Sequence, residues 1–379
     1  MNQATVEFRH VSKQYGPQGA AVVDLSLLVP AGDICVLVGP SGCGKTTSLK
    51  MVNRLVEPTS GQVLIDGQDV MTVDLTELRR GIGYVIQQIG LFPHQTIAEN
   101  VGTVPRLLGW PKARIQQRTE ELLELVGLDP ARVRNRYPSQ LSGGERQRVG
   151  VARAMAAEPP VMLMDEPFGA VDPIVRERLQ NEFLRLHRVQ GTTVLFVTHD
   201  IDEAIKMGTR VAVMQQGGHL AQYAPPTELL AHPASDFVSR FVGTDRGLKR
   251  LSLLRVADVR LEAGIVAHVG ESVQAARRHA YEGEAEWVLL LDQTDAPLGW
   301  VKANELRADG TLSAEFVDAS SPLVHLETTL RDALSMLLTS AVQTAVVVDE
   351  RGKFLGMLTF DELGLAFRSE PEPEVATVG

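Results

Sequence analysis

Gly39-Pro40-Ser41-Gly42-Cys43-Gly44-Lys45-Thr46-Thr47 fits G-x-x-x-x-G-K-[ST], the pattern of a phosphate-binding loop. The apolar, β-rich run Ile34-Cys35-Val36-Leu37-Val38 precedes it and reads as a buried strand; Thr46 to Arg54 after it reads as the start of a helix. Strand, glycine loop and helix in that order are the setting the motif requires. The glycines let consecutive backbone N–H groups turn toward phosphate oxygens, and the helix N-terminus adds the positive end of its dipole. Lys45 then reaches the β- and γ-phosphates, and the Thr46 hydroxyl is placed to ligate Mg²⁺. Cys43 stands in a variable position of the loop, where a small residue fits.

Before the loop, Val6 to Leu28 alternates as strands do. Tyr15 in that stretch is either a platform for an adenine ring or a surface turn tyrosine. After the loop, Val63-Leu64-Ile65 followed by Asp66-Gly67 reads as a strand and tight turn, and Ile82 to Ile86 reads as a strand ending at Gln87-Gln88. From Thr96 to about Val126 the pattern is helical, with Ile115, Leu122, Leu123 and Val126 near a 3.6-residue period. In Leu141-Ser142-Gly143-Gly144-Glu145, Ser142 and Glu145 form a capping box, so a helix begins there. That N-terminus is an ordinary cap or a second place for an anion.

Val161-Met162-Leu163-Met164-Asp165-Glu166 is an apolar strand ending in two carboxylates. In phosphate-loop enzymes an acid at such a strand end holds Mg²⁺, and a second acid beside it can polarise an attacking water. Alternation along an extended strand places Asp165 and Glu166 on opposite faces. Thr193 to Val197 is another strand, ending in Thr198-His199-Asp200, where a parallel strand meets the ligand crevice. His199 there is structural or part of the site.

The chain has 379 residues, enough for two or three domains, and a net charge of −10, which speaks against nucleic acid as partner. No apolar run approaches the ~20 residues of a membrane helix, and the N-terminus has no secretory pattern. Two cysteines and no Cys/His metal spacing fit a reducing, cytoplasmic setting.

Together these motifs resemble the ATP-binding subunits of ABC transporters, over residues 5 to about 243. Leu141-Ser142-Gly143-Gly144 between the two carboxylate- and phosphate-binding motifs makes the resemblance specific; Glu145 stands where many members have Gln. The resemblance implies an α/β phosphate-loop ATPase domain over 1–243, with a RecA-like core, an antiparallel β subdomain and a helical subdomain at about 91–150. It implies ATP held by Gly39, Pro40, Ser41, Gly42, Cys43, Gly44, Lys45, Thr46 and Thr47, with Tyr15 stacked on adenine. Mg²⁺ would be held by Thr46, Asp165 and Gln87, and Gln87 would also sense the attacking water. Glu166 would be the catalytic carboxylate, His199 the switch histidine at the γ-phosphate and Asp172 the acid facing a partner subunit. A head-to-tail homodimer follows, in which Ser142, Gly143 and Gly144 of one chain cap the ATP held by Lys45 of the other.

Beyond Gly243 the chain changes character. Residues 244–252 read as a polar, basic linker, and an internal repeat follows: Val273/Leu330, Asp292/Asp349, Gly299/Gly356 and Leu306/Leu363 are each 57 positions apart. Two copies of a short α+β unit burying a shared core are expected, at 253–310 and 311–368. They resemble a tandem of CBS domains, which implies a regulatory site for an adenine nucleotide or an ion, or a dimerisation module. After the glycine, nucleotide-binding copies carry Thr or Ser and then Asp; here stand Lys302/Glu305 and Thr359/Glu362. Residues 369–379 read as a disordered acidic tail.

An ABC ATPase joined to such a tandem resembles importers of osmoprotectants such as glycine betaine, carnitine, choline and proline betaine. That implies an integral membrane permease, an extracytoplasmic solute-binding protein and a peripheral place on the cytoplasmic face of the membrane. Importers of another small solute, a soluble ABC ATPase of repair or translation, and a sensing protein are the alternatives.

Overall fold

The computed structural model describes residues 3–16, 19–86, 90–169, 171–306 and 310–368. They fall into two units, Met1–Gly243 and Thr244–Gly379.

The first unit begins with β1 (Val6–Gln14), β2 (Ala20–Val29), β3 (Ile34–Val38) and α1 (Lys45–Val52). Next come β4 (Ser60–Ile65), β5 (Gln68–Asp69), α2 (Leu75–Arg80) and β6 (Ile82–Val85). A helical stretch holds α3 (Ile97–Val101), α4 (Thr103–Leu107), α5 (Lys112–Leu125), α6 (Pro130–Val133) and α7 (Gly143–Met155). The unit closes with β7 (Val161–Asp165), α8 (Pro173–Gln190), β8 (Thr193–Thr198), α9 (Ile201–Met207), β9 (Arg210–Gln215), β10 (His219–Ala224), α10 (Pro226–Ala231) and α11 (Asp236–Val242).

One sheet has the order β10-β9-β3-β8-β7-β6. All its neighbours pair in parallel except β10, which runs antiparallel to β9 at the edge. Every residue of β3, β7 and β8 is buried. A strand covered on both faces needs an apolar run, which residues 34–38, 161–164 and 194–197 supply. Because they are parallel, their C-terminal ends lie along one edge, with β8 between β3 and β7. The other sheet, β2-β1-β4-β5, is antiparallel; one face of β1 and β2 supplies Val6, Phe8, Val11, Val22 and Leu25 to the core shared with Leu37, Leu163 and Leu195.

The helical pattern over Thr96 to Val126 forms three helices. Pro105 has no N–H, and its ring would collide with the carbonyl four residues back, which belongs to Val101, the last residue of α3. Pro111 then precedes α5.

In the second unit, residues 244–252 are not a linker. They contain α12 (Arg246–Leu251), whose Leu251 is buried in the core of the repeat. The first copy holds β11 (Val266–His268), α13 (Val273–Glu282), β12 (Trp287–Leu291) and β13 (Pro297–Lys302); the second holds β14 (Leu323–His325), α14 (Leu330–Thr339), β15 (Ala345–Val348), β16 (Phe354–Leu358) and α15 (Phe360–Arg368). Each copy is a three-stranded sheet with one parallel and one antiparallel pair. The registers repeat at the 57-residue offset: Leu290 pairs Gly299, and Val347 pairs Gly356.

The copy boundaries, however, are crossed. Leu251 and Val256, which precede β11 of the first copy, pack with Val324, Leu330 and Leu358 of the second. Leu312, Phe316 and Val317, which precede β14 of the second copy, pack with Val273, Val288 and Leu306 of the first. Equivalent bridges fasten both crossings, Glu262 to Met357 and Ala319 to Trp300, again 57 positions apart. The repeated glycine is explained by this approach: a Cβ on Gly356, whose φ is +157°, would meet the Cβ of Leu261 at 2.8 Å. A third cluster joins the copies through Leu289, Leu291, Trp300, Val346, Val348 and Met357. The expected division at 310/311 therefore cuts through packed segments, because each copy's own strands leave one side of its core open.

Candidate functional site

The phosphate loop joins β3 to α1, which begins at Lys45 with Gly44 as its N-cap. Gly39 and Gly44 have φ of +152° and +96°, and a Cβ on either would run into a backbone carbonyl, of Met214 and of Ala21 respectively. The loop is thus wedged between β9 and β2, and only glycine fits there. Ser41 and Gly42 are exposed, Thr47 is partly buried in α1, and the Cys43 thiol is buried and free.

Lys45 is 7% exposed. Its ammonium folds back over the loop, donating to the carbonyls of Gly39 at 2.7 Å and Pro40 at 3.0 Å, with Cys43 Sγ at 3.6 Å. Among the described residues its hydrogen-bond acceptors are neutral, which fits an anionic ligand that would replace them. The Thr46 hydroxyl donates to Asp165 Oδ1 at 2.9 Å. Asp165 ends β7 and is 2% exposed. Burial pushes its carboxyl above the ordinary range, opposed by the Thr46 hydrogen bond and the charges of Lys50 and Lys45. A hydroxyl and a carboxylate side by side are hard oxygen donors, the set that Mg²⁺ prefers.

Glu166 lies just beyond β7 in the left-handed region, with φ +47°. Its separation from Asp165 comes from this turn, not from strand alternation. The strain is held in place because its N–H donates to Val197 O at 3.0 Å and its carbonyl accepts from Gly169 N–H. The result aims its carboxylate at the end of β8, where His199 Nδ1 sits 3.0 Å from Glu166 Oε1. His199 is more exposed, at 66% of its side chain. Lys45, Thr46, Asp165, Glu166 and His199 thus gather along the C-terminal edge of three adjacent strands.

Other residues singled out in the sequence lie elsewhere. Ser142, Gly143 and Gly144 open α7, which packs on β6, α3 and α5. There Ser142 N–H and O–H donate to Glu145 at 2.8 and 2.9 Å, and Ser142 Oγ accepts from Glu145 N–H at 3.3 Å. These hydrogen bonds hold the Glu145 carboxyl below its ordinary range. Asp172 caps α8, accepting from Val175 N–H at 3.1 Å. Tyr15 is 54% exposed, and the Lys13 ammonium lies 5.1 Å from its ring centroid. Gln87 lies outside the described residues. Two residues that the sequence reading passed over bear on the site: Lys50, one turn along α1, whose charge acts on Asp165, and Tyr84 on β6, whose hydroxyl burial and the Asp165 charge push up to about 12. Only strand order reveals them.

The ABC transporter family profile matches residues 22–169. The osmoprotectant import ATP-binding protein OsmV of Salmonella typhimurium is 47% identical over 361 residues, 94% of each chain. The glycine betaine/carnitine/choline transport ATP-binding protein OpuCA of Bacillus subtilis is 40% identical over 358 residues, 93% of this chain and 94% of that one. A dimeric structure of MJ0796, a bacterial ABC transporter cassette, has a TM-score of 0.54 and 34% identity, covering 58% of this chain and 98% of that one; the same cassette in a post-hydrolysis state bound to ADP and Pi scores alike. The two importer proteins match across both units, and the chain belongs to the ABC transporter family, among its ATP-binding ATPase subunits.

Proposed function

We propose that this chain hydrolyses ATP to power import of a quaternary-amine compatible solute, of the glycine betaine, carnitine, choline and proline betaine class, through a partner permease. The observation that carries the chemistry is the meeting of Lys45, Thr46, Asp165, Glu166 and His199 on one sheet edge. The solute class is supported by relatives that match over both units. An extracytoplasmic protein delivers the solute, and the chain sits peripherally on the cytoplasmic face. Among the described residues no helix is long and apolar enough to cross a membrane, so the permease supplies the path.

In this mechanism Lys45 leaves the carbonyls of Gly39 and Pro40 for the β- and γ-phosphates, which the loop N–H groups cradle. Thr46, Asp165 and Gln87 would hold Mg²⁺. The metal, when bound, neutralises charge building on the phosphates. Glu166 accepts a hydrogen bond from the attacking water and orients it in line with the γ-phosphorus. His199, held by Glu166 through Nδ1, presents its other ring edge toward the γ-phosphate. Tyr15 stacks on adenine. Two chains pair head to tail, so that Ser142, Gly143 and Gly144 of one complete the site of the other and Asp172 faces the partner; a solved dimer of a related cassette supports this. The second unit regulates turnover in response to an adenine nucleotide or ionic conditions.

The test is solute uptake into vesicles holding the complete complex. Glycine betaine uptake driven by internal ATP is expected from the wild type and is expected to vanish with K45A. ATP hydrolysis that no quaternary amine stimulates, in a complex that takes up none, would remove the solute assignment.

A further inference from the structure

The turn carrying His199 rests on a polar network that the roles above do not use. Thr198, 1% exposed, ends β8, and its Oγ1 accepts from Asp200 N–H at 3.1 Å. Glu203 sits in the first turn of α9, and Asp200, the N-cap of that helix, accepts from the N–H groups of Asp202 and Glu203 at 2.8 and 3.3 Å. The donor to the Glu203 carboxylate comes from a different element: Gln180 Nε2 on α8 donates to Oε1 at 3.0 Å. Gln180 is 5% exposed, an expensive place for an amide unless it is bonded. Its helix is the one that starts at Asp172.

We infer that Glu203 is a positioning residue for ATP hydrolysis: its carboxylate ties Gln180, on the helix that begins at Asp172, to the first turn of α9, whose N-cap Asp200 directly follows His199 and donates to Thr198 directly before it. This fixes where His199 meets Glu166. It also gives any shift of α8, produced when Asp172 engages its partner, a direct mechanical route to His199. Burial pushes the Glu203 carboxyl above its ordinary range, and the Gln180 hydrogen bond opposes that rise. The inference rests on the reading that His199 acts at the γ-phosphate.

The experiment is ATP turnover by the full-length chain carrying E203A, E203Q, Q180L, H199A and the H199A/E203A pair. E203A is expected to lower kcat about tenfold, equivalent to about 1.4 kcal/mol of barrier, with KM for ATP little changed. E203Q, which keeps a hydrogen-bonding head of the same size, is expected to recover most of that loss. In the H199A background, adding E203A is expected to cost almost nothing further, since residues acting as one unit are not additive. An equal loss from E203A in both backgrounds would show that it acts independently of His199 and would overturn the inference, as would wild-type kcat in E203A. H199A at wild-type kcat would instead overturn the role of His199 in the proposed function, and this inference with it. If E203A does not fold, Q180L serves, because it removes one donor and keeps the packing. The ring signal missing from histidine-labelled H199A protein is expected to move in Q180L, and an unmoved signal would overturn the inference.

Discussion

Glu166 shows how much of this site depends on one backbone conformation. A non-glycine residue with φ near +47° stores strain, and the hydrogen bond from its N–H to Val197 offsets it. What the strain achieves is a carboxylate turned toward β8 rather than along β7, within reach of His199. Removing its charge while keeping its shape separates chemistry from architecture. E166Q is expected to fold and to bind ATP as the wild type does, to lose at least about a hundredfold in kcat, the lower range for a general base, and to accumulate as an ATP-bound dimer. Steady-state turnover beside nucleotide binding and size-exclusion chromatography with ATP checks all three. Turnover near the wild-type rate would take Glu166 out of the role.

Among elements, α7 is the one whose start combines packing and electrostatics. Its capping box closes Ser142 and Glu145 on each other, and the Glu145 carboxyl is depressed chiefly by the Ser142 backbone N–H, then by its hydroxyl and by Arg148 and Arg132. A carboxyl lowered on folding stabilises above its ordinary value of 4.5, and that contribution is lost as pH falls through the folded value. E145A is therefore expected to cost about 1 kcal/mol at neutral pH, seen as a lower Tm. The gap between wild type and E145A should narrow as pH drops below about 5, while E145Q, whose amide cannot titrate, keeps its cap. Thermal melts of the three proteins across pH decide it; a gap that stays constant to acid would mean the carboxylate form of Glu145 does not stabilise the cap. The helical stretch before α7 makes a different point. Its 3.6-residue pattern is legible from Thr96 to Val126, and Pro105 and Pro111, which lack N–H groups, divide it into three helices.

For the molecule as a whole, the consequence lies in the second unit. Its repeat was visible as matched residues 57 apart, yet its cores are crossed. A fragment of residues 311–368 would lose Leu251 and Val256 from one core and carry Leu312, Phe316 and Val317 with nothing to cover them. Each lost aliphatic contact is worth about 1.5–3 kcal/mol, against a net stability of about 5–15 kcal/mol for a typical domain. Residues 244–368 are expected to melt cooperatively, and 311–368 to show no cooperative transition by circular dichroism. A sharp transition in the shorter fragment would mean that the crossing is not needed to close the core.

The features legible in the amino-acid order alone are those carried by contiguous residues. The glycine loop with Lys45 and Thr46, the carboxylates after an apolar strand, the cap at Ser142 and the 57-residue spacing each need only a short stretch and its local geometry. Strand order is not local, and it brings Asp165 to Thr46 and His199 to Glu166 across 119 and 33 positions. The left-handed turn at Glu166, the Gln180–Glu203 hydrogen bond and the crossed segments of the repeat arise the same way. Each is a contact between residues far apart in the chain, whose free energy exists only once β8 has settled between β3 and β7, or once one copy's core has taken up its neighbour's segment.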